Sequence, residues 1–276
     1  MRFRIIDAFA DAPFTGNPAA VFLLDQPDWP DTSWLQQVAQ EMSVSETAFA
    51  YQLPPDGRAD WALRWFTPLV EDTLCGHATL AVAHALHADR GSAATVRFET
   101  RSGVLTTVTD DCGVVTMDFP RPQLTPGPAP GVAEALGATP EQTLQTGALG
   151  DVLAVFSSED DVRQLRPDFT ALADLQTRTA RPDRGVIVTA HARDSADGYD
   201  FVSRFFTPAA GVPEDPATGS AHTALAPYWS ARLGRNRLTG LQVSRRTGKI
   251  TTTLSPSEVR LSGRAVVVTD GQFLHG

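Results

Sequence analysis

The 276-residue sequence contains two cysteines, Cys75 and Cys112, which are too few for a disulfide framework. It has no apolar run long enough to span a bilayer, which argues against a membrane protein. The net charge is −9, so no basic excess is available to neutralise nucleic acid. A strand pattern begins within residues 1–6, so we expect no signal peptide. Together these features favour a reduced, cytoplasmic environment.

Cofactor signatures are also missing from the sequence. Neither a phosphate-binding glycine loop nor a dinucleotide fingerprint occurs. His84 and His87 lie about one turn apart on a predicted helix, but no third ligand follows at a spacing typical of a metal site. We therefore expect that the protein requires no metal, nicotinamide, flavin or pyridoxal phosphate.

What the sequence does contain is an internal repeat. A Thr-Pro segment is followed by a Glu-Asp pair, a glycine and a helix-like run, and this series occurs twice. The matching segments are 64–68 with 204–208, 71–78 with 214–221, and 101–107 with 246–252. Because the order is the same in both halves, we predict two copies of one domain, related by a pseudo-twofold axis, with a site where the copies face each other.

Each half combines strand patterns with one well-marked helix after the Thr-Pro segment. Apolar spacing predicts these helices at 75–88 and 220–233, and a glycine follows each of them. The strands expected after the second helix begin at Leu241, Gly248 and Glu258. We therefore predict an α+β fold in which strands wrap around a central helix, twice.

Proline density suggests how the halves are joined. The richest stretch, 120–130, is the best linker candidate. We accordingly predict domains at 1–119 and 131–264. A final strand at 265–276 has no clear counterpart before the linker, and we expect it to return to the first domain.

Both predicted helices begin beside a glycine, Gly76 in the first half and Gly219 in the second. Glycine lets a ligand approach the backbone closely, and first-turn amides carry the positive end of the helix dipole. Two such helix starts could together hold a carboxylate. Ordinary capping by Thr73 or Thr218 would explain either segment alone. Capping does not, however, require both copies to keep Thr-Pro, Glu-Asp and Gly in register.

Several short segments carry a family resemblance. They are TP at 67–68, CGHAT at 75–79, DPATGSAH at 215–222, DAF at 7–9, GNPAAV at 16–21 and SETAF at 45–49. These segments resemble the signatures of the phenazine-biosynthesis PhzF family, and the resemblance runs from Asp7 almost to the end of the chain. It implies the fold of diaminopimelate epimerase, in which two similar α+β domains, each a strand barrel around a central helix, enclose the site.

The resemblance also implies roles for individual residues. Glu46 corresponds to the family's general acid/base, and Gly76 and Gly219 fall where backbone amides would meet the substrate. The other polar residues lining the family's site correspond to His77, Asp215 and Ser220. The resemblance thus implies a cofactor-free isomerase that moves a proton, commonly as a homodimer. In the founding activity the substrate is a dihydro-hydroxyanthranilate.

The neighbourhood of Glu46 suits such a role. On the predicted strand it shares a face with Ala48 and Ala50, whose small side chains leave room for a ligand. Most single glutamates are exposed and structural, so this alternative stays open on the residue alone. The second half has no acid at the equivalent place, where residues 184–186 stand, so the duplication supplies one acid/base rather than two.

The cysteines separate two chemistries. A two-base epimerase of this fold uses one thiol from each domain, and Cys75 stands at the first position but Thr218 at the second. A threonine hydroxyl is far too weak an acid to replace a thiol as a carbon base.

The leading prediction is therefore an isomerase of a small unsaturated carboxylate, with Cys75 and Thr218 beside the substrate. The alternatives are an amino- or hydroxy-acid racemase or epimerase that uses Cys75, and a catalytically silent carboxylate-binding protein. Cys75 alone would also fit a small buried apolar residue.

Overall fold

The structure, a computed structural model, describes residues 1–55, 57–91, 93–178 and 184–274. The chain divides into two compact units. One comprises Met1–Asp118 and the segment that begins at Ser262, and the other comprises Phe119–Leu261. Both units combine a mixed sheet with helices, so the α+β prediction is confirmed. In the described part of the chain, no helix is long and apolar enough to cross a membrane.

Both units contain strands and helices in a similar order along the chain. Up to Pro120 the strands are β1 (Arg2–Ala8), β2 (Asn17–Leu24), β3 (Glu46–Gln52), β4 (Trp61–Phe66), β5 (Glu71–Asp72), β6 (Ala94–Thr100), β7 (Gly103–Thr109) and β8 (Val115–Pro120). The helices of this part are α1 (Thr32–Met42) and α2 (Gly76–Arg90). The later strands are β9 (Thr125–Pro126), β10 (Gln142–Gln145), β11 (Val152–Val155), β12 (Val186–His191), β13 (Phe201–Thr207), β14 (Val212–Asp215), β15 (Arg237–Gln242), β16 (Gly248–Leu254), β17 (Glu258–Gly263) and β18 (Ala265–Gln272). The later helices are α3 (Val132–Leu136), α4 (Glu159–Gln164), α5 (Phe169–Thr177) and α6 (Gly219–Leu233).

Strand pairing repeats from one unit to the other. In the first unit β2 runs parallel to β3, β3 antiparallel to β4, β4 parallel to β6, and β6 antiparallel to β7. The second unit has the same order of directions through β11, β12, β13, β15 and β16. The final strand, β18, pairs antiparallel with β1. The duplication seen in the sequence is therefore a duplication of sheet topology.

A long helix packs against the strands of each unit. Helix α2 packs on β1, β2, β3, β7 and β18, and buried residues occur on all its faces. Helix α6 is likewise buried through most of its length, with Leu225 and Trp229 among its core side chains. A helix that is apolar all round belongs in an interior, which explains these positions. Both helices end at a glycine in the left-handed conformation, Gly91 (φ 71°) and Gly234 (φ 65°), as the sequence predicts.

The Glu of each repeated Glu-Asp pair makes the same contact in both units. Arg64 and Glu71 form a bidentate ion pair with N–O distances of 2.8 and 2.9 Å, and Arg204 and Glu214 form one at 2.7 and 2.9 Å. Each guanidinium lies over a phenylalanine ring two residues further on, at 5.0 Å in the first unit and 4.9 Å in the second. Bidentate pairing and ring stacking both require a planar cation, so arginine is specified in each copy. These contacts fix the strand that precedes each central helix.

The fourth residue of each central helix makes a side-chain contact to the carbonyl group four residues before it. Thr79 donates its hydroxyl to the carbonyl of Cys75 at 2.6 Å, and His222 Nδ1 lies 2.8 Å from the carbonyl of Thr218. Since a carbonyl oxygen can only accept, Nδ1 of His222 carries the proton. His222 is fully buried, and burial lowers its pKa from 6.5 to about 4.

We expect this histidine to destabilise the fold in acid. Between pH 6.5 and about 4, His222 is protonated in the unfolded chain but neutral in the folded chain. The free energy of unfolding therefore decreases as the pH is lowered through this range. The expected loss is about 3 kcal/mol, and it levels off below the folded pKa because both states then bind the proton. Urea unfolding at several pH values should show this slope, and His222→Asn should remove it. His191 is exposed, so His191→Asn is the matched control and should keep the pH dependence of the parent. An unchanged pH dependence of unfolding in His222→Asn would contradict the role given to His222.

Candidate active site

Glu46 and His77 meet at the start of the first unit's central helix. Glu46 is the first residue of β3, opposite Ala19 of β2, and His77 is the second residue of α2. Oε2 of Glu46 lies 2.9 Å from Nε2 of His77, and the two side chains are 12% and 8% exposed. The carboxylate therefore lies within ion-pair distance of the imidazole and is partly exposed.

Cys75, the residue immediately before α2, lies next to this pair. Its Sγ lies 3.5 Å from Nδ1 of His77, so the imidazole stands between the thiol and the carboxylate. We call Glu46, Cys75 and His77 the Cys–His–Glu cluster. Their ligand atoms lie within 4.8 Å of one another, which makes the cluster a possible metal site among the described residues.

A second carboxyl group, Asp72, accompanies the cluster. It accepts backbone N–H groups from Thr73 at 2.6 Å and Leu74 at 3.3 Å. Burial raises the pKa of Asp72, and the nearby carboxylate of Glu46 raises it further. The sequence did not predict that Asp72 lies near Glu46, because there Asp72 is only the second acid of the repeated Glu-Asp pair.

In the second unit, Asp215 and Thr218 form a compact network. The Thr218 hydroxyl donates to Oδ2 of Asp215, and the Thr218 N–H donates to Oε1 of Gln242 at 2.8 Å. Gln242 returns a hydrogen bond from Nε2 to the backbone carbonyl of Asp215 at 2.7 Å. Thr218 thus occupies the N-cap position of α6, but its side chain bonds Asp215 rather than a helix amide. No sequence signal pointed to Gln242.

Ser220 lies beside a buried ion pair of the same unit. Arg184 binds Asp151 at 2.6 Å, and Nη2 of Arg184 is 3.5 Å from the Ser220 hydroxyl. Asp151 is completely buried and also accepts the backbone N–H of Gly185 at 2.8 Å. The arginine therefore places a positive charge next to the start of α6 and neutralises the acid beneath it.

Strand register identifies the counterpart of Glu46. Thr47 lies opposite Phe66 in the first unit, and Val186 lies opposite Phe206 in the second, so Gly185 occupies the equivalent position to Glu46. A Cβ atom at Gly185 would lie 2.3 Å from the carbonyl oxygen of Phe206. The second unit thus has glycine at this register, as the sequence alignment of the halves indicates.

The predicted site residues fall into two groups. The first unit brings together Glu46, Cys75, Gly76 and His77. The second unit brings together Asp215, Thr218, Gly219 and Ser220 at the start of α6.

Comparison with known proteins now identifies the relationship. The family model described as phenazine biosynthesis-like protein matches residues 6–271. The chain belongs to this family. An uncharacterized isomerase of Pseudomonas aeruginosa is 46% identical to this family member over 268 residues, which cover 96% of each chain.

Solved structures support the same relationship. A PhzF-family protein from Enterococcus faecalis superposes with a TM-score of 0.86 at 37% identity, covering 99% of both chains. A hydroxyproline epimerase from Agrobacterium vitis superposes with a TM-score of 0.66, covering 98% of this chain and 91% of its own. At 14% identity this second likeness shows the fold alone. The expected family and the epimerase-like fold are therefore confirmed.

Proposed function

We propose that this family member is a cofactor-independent isomerase that moves a proton on a small unsaturated carboxylate, with Glu46 as the single acid/base. The 2.9 Å contact between Glu46 and His77 carries the proposal, because it places a partly accessible carboxylate at the first turn of a central helix. The isomerase name of the Pseudomonas aeruginosa relative supports the reaction class.

The proposed reaction uses one carboxylate twice. Glu46 removes a proton from a carbon activated by the substrate's own unsaturation, then returns it to another carbon on the same face. His77 Nε2 lies 2.9 Å from one carboxylate oxygen, and in this proposal the other oxygen carries the proton. Gly185 at the equivalent register supports a one-acid scheme over a symmetric two-base scheme.

We infer from the repeat that both helix starts serve the same substrate. Helices α2 and α6 begin at Gly76 and Gly219, where first-turn amides and the helix dipole favour an anion. The Arg184 guanidinium, which is paired with Asp151, lies beside Ser220. In this proposal the amides bind the substrate carboxylate, while Asp215 orients a polar substituent.

Exchange with deuterated water tests the proposal. The protein is incubated with a dihydro-hydroxyanthranilate and with a panel of cyclic unsaturated amino and hydroxy acids. Mass spectrometry should find deuterium at one carbon of a substrate that also isomerises. Binding by calorimetry without exchange would instead favour the catalytically silent binding protein.

We expect dialysed, chelator-treated protein to keep full activity in this assay. Proton transfer by Glu46 needs no electron carrier or Lewis acid, because the substrate's own unsaturation stabilises the developing charge. Metal analysis and an absorption spectrum accompany the assay. Activity that disappears with one equivalent of metal, and returns when that metal is restored, would contradict this prediction.

The competing epimerase chemistry is favoured by one observation, the placement of Cys75 Sγ at 3.5 Å from His77. We nevertheless expect Cys75→Ala to retain activity within about tenfold of the parent, because Thr218 offers no partner thiol. The exposed cysteine gives a matched control, Cys112→Ala. Loss of nearly all activity in Cys75→Ala alone, with inversion at one carbon by chiral chromatography, would favour the epimerase.

A further inference from the structure

We propose that Cys75, His77 and Glu46 form a binding site for a thiophilic divalent cation, with zinc as the reference ion, and that its occupancy inhibits the protein. The binding stands on the geometry of the cluster alone. The inhibition rests on the proposed function, because it assumes that Glu46 must be free to take a proton.

The ligand types and spacing suit zinc. The cluster offers sulfur, nitrogen and oxygen donors within 4.8 Å of one another. Bonds of about 2.3 Å to sulfur and about 2.0 Å to nitrogen at a tetrahedral angle separate the two ligand atoms by about 3.5 Å. Sγ of Cys75 and Nδ1 of His77 are 3.5 Å apart. The Glu46 oxygen lies 2.9 Å from Nε2, the other ring nitrogen, so the carboxylate would turn from Nε2 toward the ion to become its third ligand. Water would then take the fourth tetrahedral position.

Charge around the cluster also favours a cation. Glu46 and Asp72 are two partly buried carboxyl groups, and the charge of Glu46 acts on Asp72. A divalent ion relieves the repulsion among such groups where water cannot screen it.

Occupancy would remove the groups that the proposed reaction uses. A Glu46 carboxylate that binds the ion has no lone pair in position to accept a proton from carbon. A His77 side chain that binds the ion can no longer move with the Glu46 carboxylate during proton transfer. The second unit has Thr218, Gly219 and Ser220 at the equivalent helix start, with neither thiol nor imidazole. We therefore expect one ion per chain.

Metal binding is measured directly, without turnover. Calorimetry with zinc alone should give one equivalent per chain, and cobalt should give the near-ultraviolet charge-transfer absorption of a thiolate ligand. Cys112→Ser should behave like the parent. Cys75→Ser should lose the absorption band and at least about tenfold in zinc affinity. A band that survives in Cys75→Ser, or a parent protein that binds no zinc, would overturn the proposal.

A second measurement needs no variant. Zinc should protect Cys75 of the parent, but not the exposed Cys112, from alkylation by iodoacetamide, as measured by peptide mass spectrometry. Equal labelling of Cys75 with and without zinc would overturn the site.

The metal-site proposal and the isomerase proposal can fail separately. Zinc binding in a protein that exchanges no substrate proton would leave the metal site and remove the isomerase. Exchange that zinc does not inhibit, in a protein shown to bind it at Cys75, would remove the inhibition.

Discussion

Glu46→Gln should lower kcat/KM by about 10²-fold or more while leaving the fold intact, because that is the usual scale for loss of a general acid/base. The amide matches the carboxylate in size and still offers an oxygen to Nε2 of His77, which lies 2.9 Å away in the parent. It cannot carry the transferred proton. The loss should therefore appear in kcat more than in substrate affinity.

The matched control for this substitution is Glu41→Gln. Glu41 is exposed on α1, and we expect its replacement to leave kcat/KM unchanged. Urea unfolding of both variants checks that the fold is retained. Activity of Glu46→Gln within tenfold of the parent, on any accepted substrate, would remove Glu46 from the proposed role.

Gly76→Val and Gly219→Val should each weaken carboxylate binding by about 10-fold to 100-fold. A side chain at either helix start would block approach to the first-turn amides, and loss of one or two charge-assisted hydrogen bonds accounts for this range. Calorimetry with an accepted substrate, or a non-reacting carboxylate analogue, measures the effect. The two positions should respond alike, because they are equivalent in the repeat.

Ala88→Val is the control for placing a β-branched residue in a central helix. Ala88 is exposed near the end of α2, far along the helix from its first turn. It should alter carboxylate affinity little. An effect confined to one of the two glycine variants, or a bound carboxylate remote from both helix starts, would refute the shared site.

Local features account for the parts of the fold that the sequence predicts. The central helices were predicted because each is a long apolar run followed by a glycine, Gly91 or Gly234, that favours the left-handed conformation. Alternation predicts a strand that begins near Ser45, and β3 begins at Glu46. These signals depend on a residue's own neighbours, so one sequence is enough to reveal them.

Strand β15 shows what a single sequence does not reveal. The sequence predicts a strand from Leu241, but β15 begins at Arg237. Gly240 interrupts the apolar pattern, and a Cβ atom there would lie 2.4 Å from the Phe201 ring. The glycine is thus required by a neighbour 39 positions earlier in the chain, rather than by a turn. Gln242 binds Thr218 and Asp215 from the end of this strand, and the sequence does not reveal those long-range contacts.

The Arg184–Asp151 pair was hidden for a similar reason. The two residues are brought together because β11 and β12 run parallel, and that register is visible only in the folded sheet. Composition gives no indication that Asp151 is fully buried or that Arg184 reaches Ser220.

The glycine at position 185 limits how the two halves of the chain can be made alike. A glutamate there would need a Cβ atom 2.3 Å from the carbonyl oxygen of Phe206 and 2.8 Å from the ring of Phe205. A single substitution therefore cannot place a second acid at this register unless the backbone moves. A variant with an acid in both halves would have to rebuild the strand that holds Phe205 and Phe206 as well.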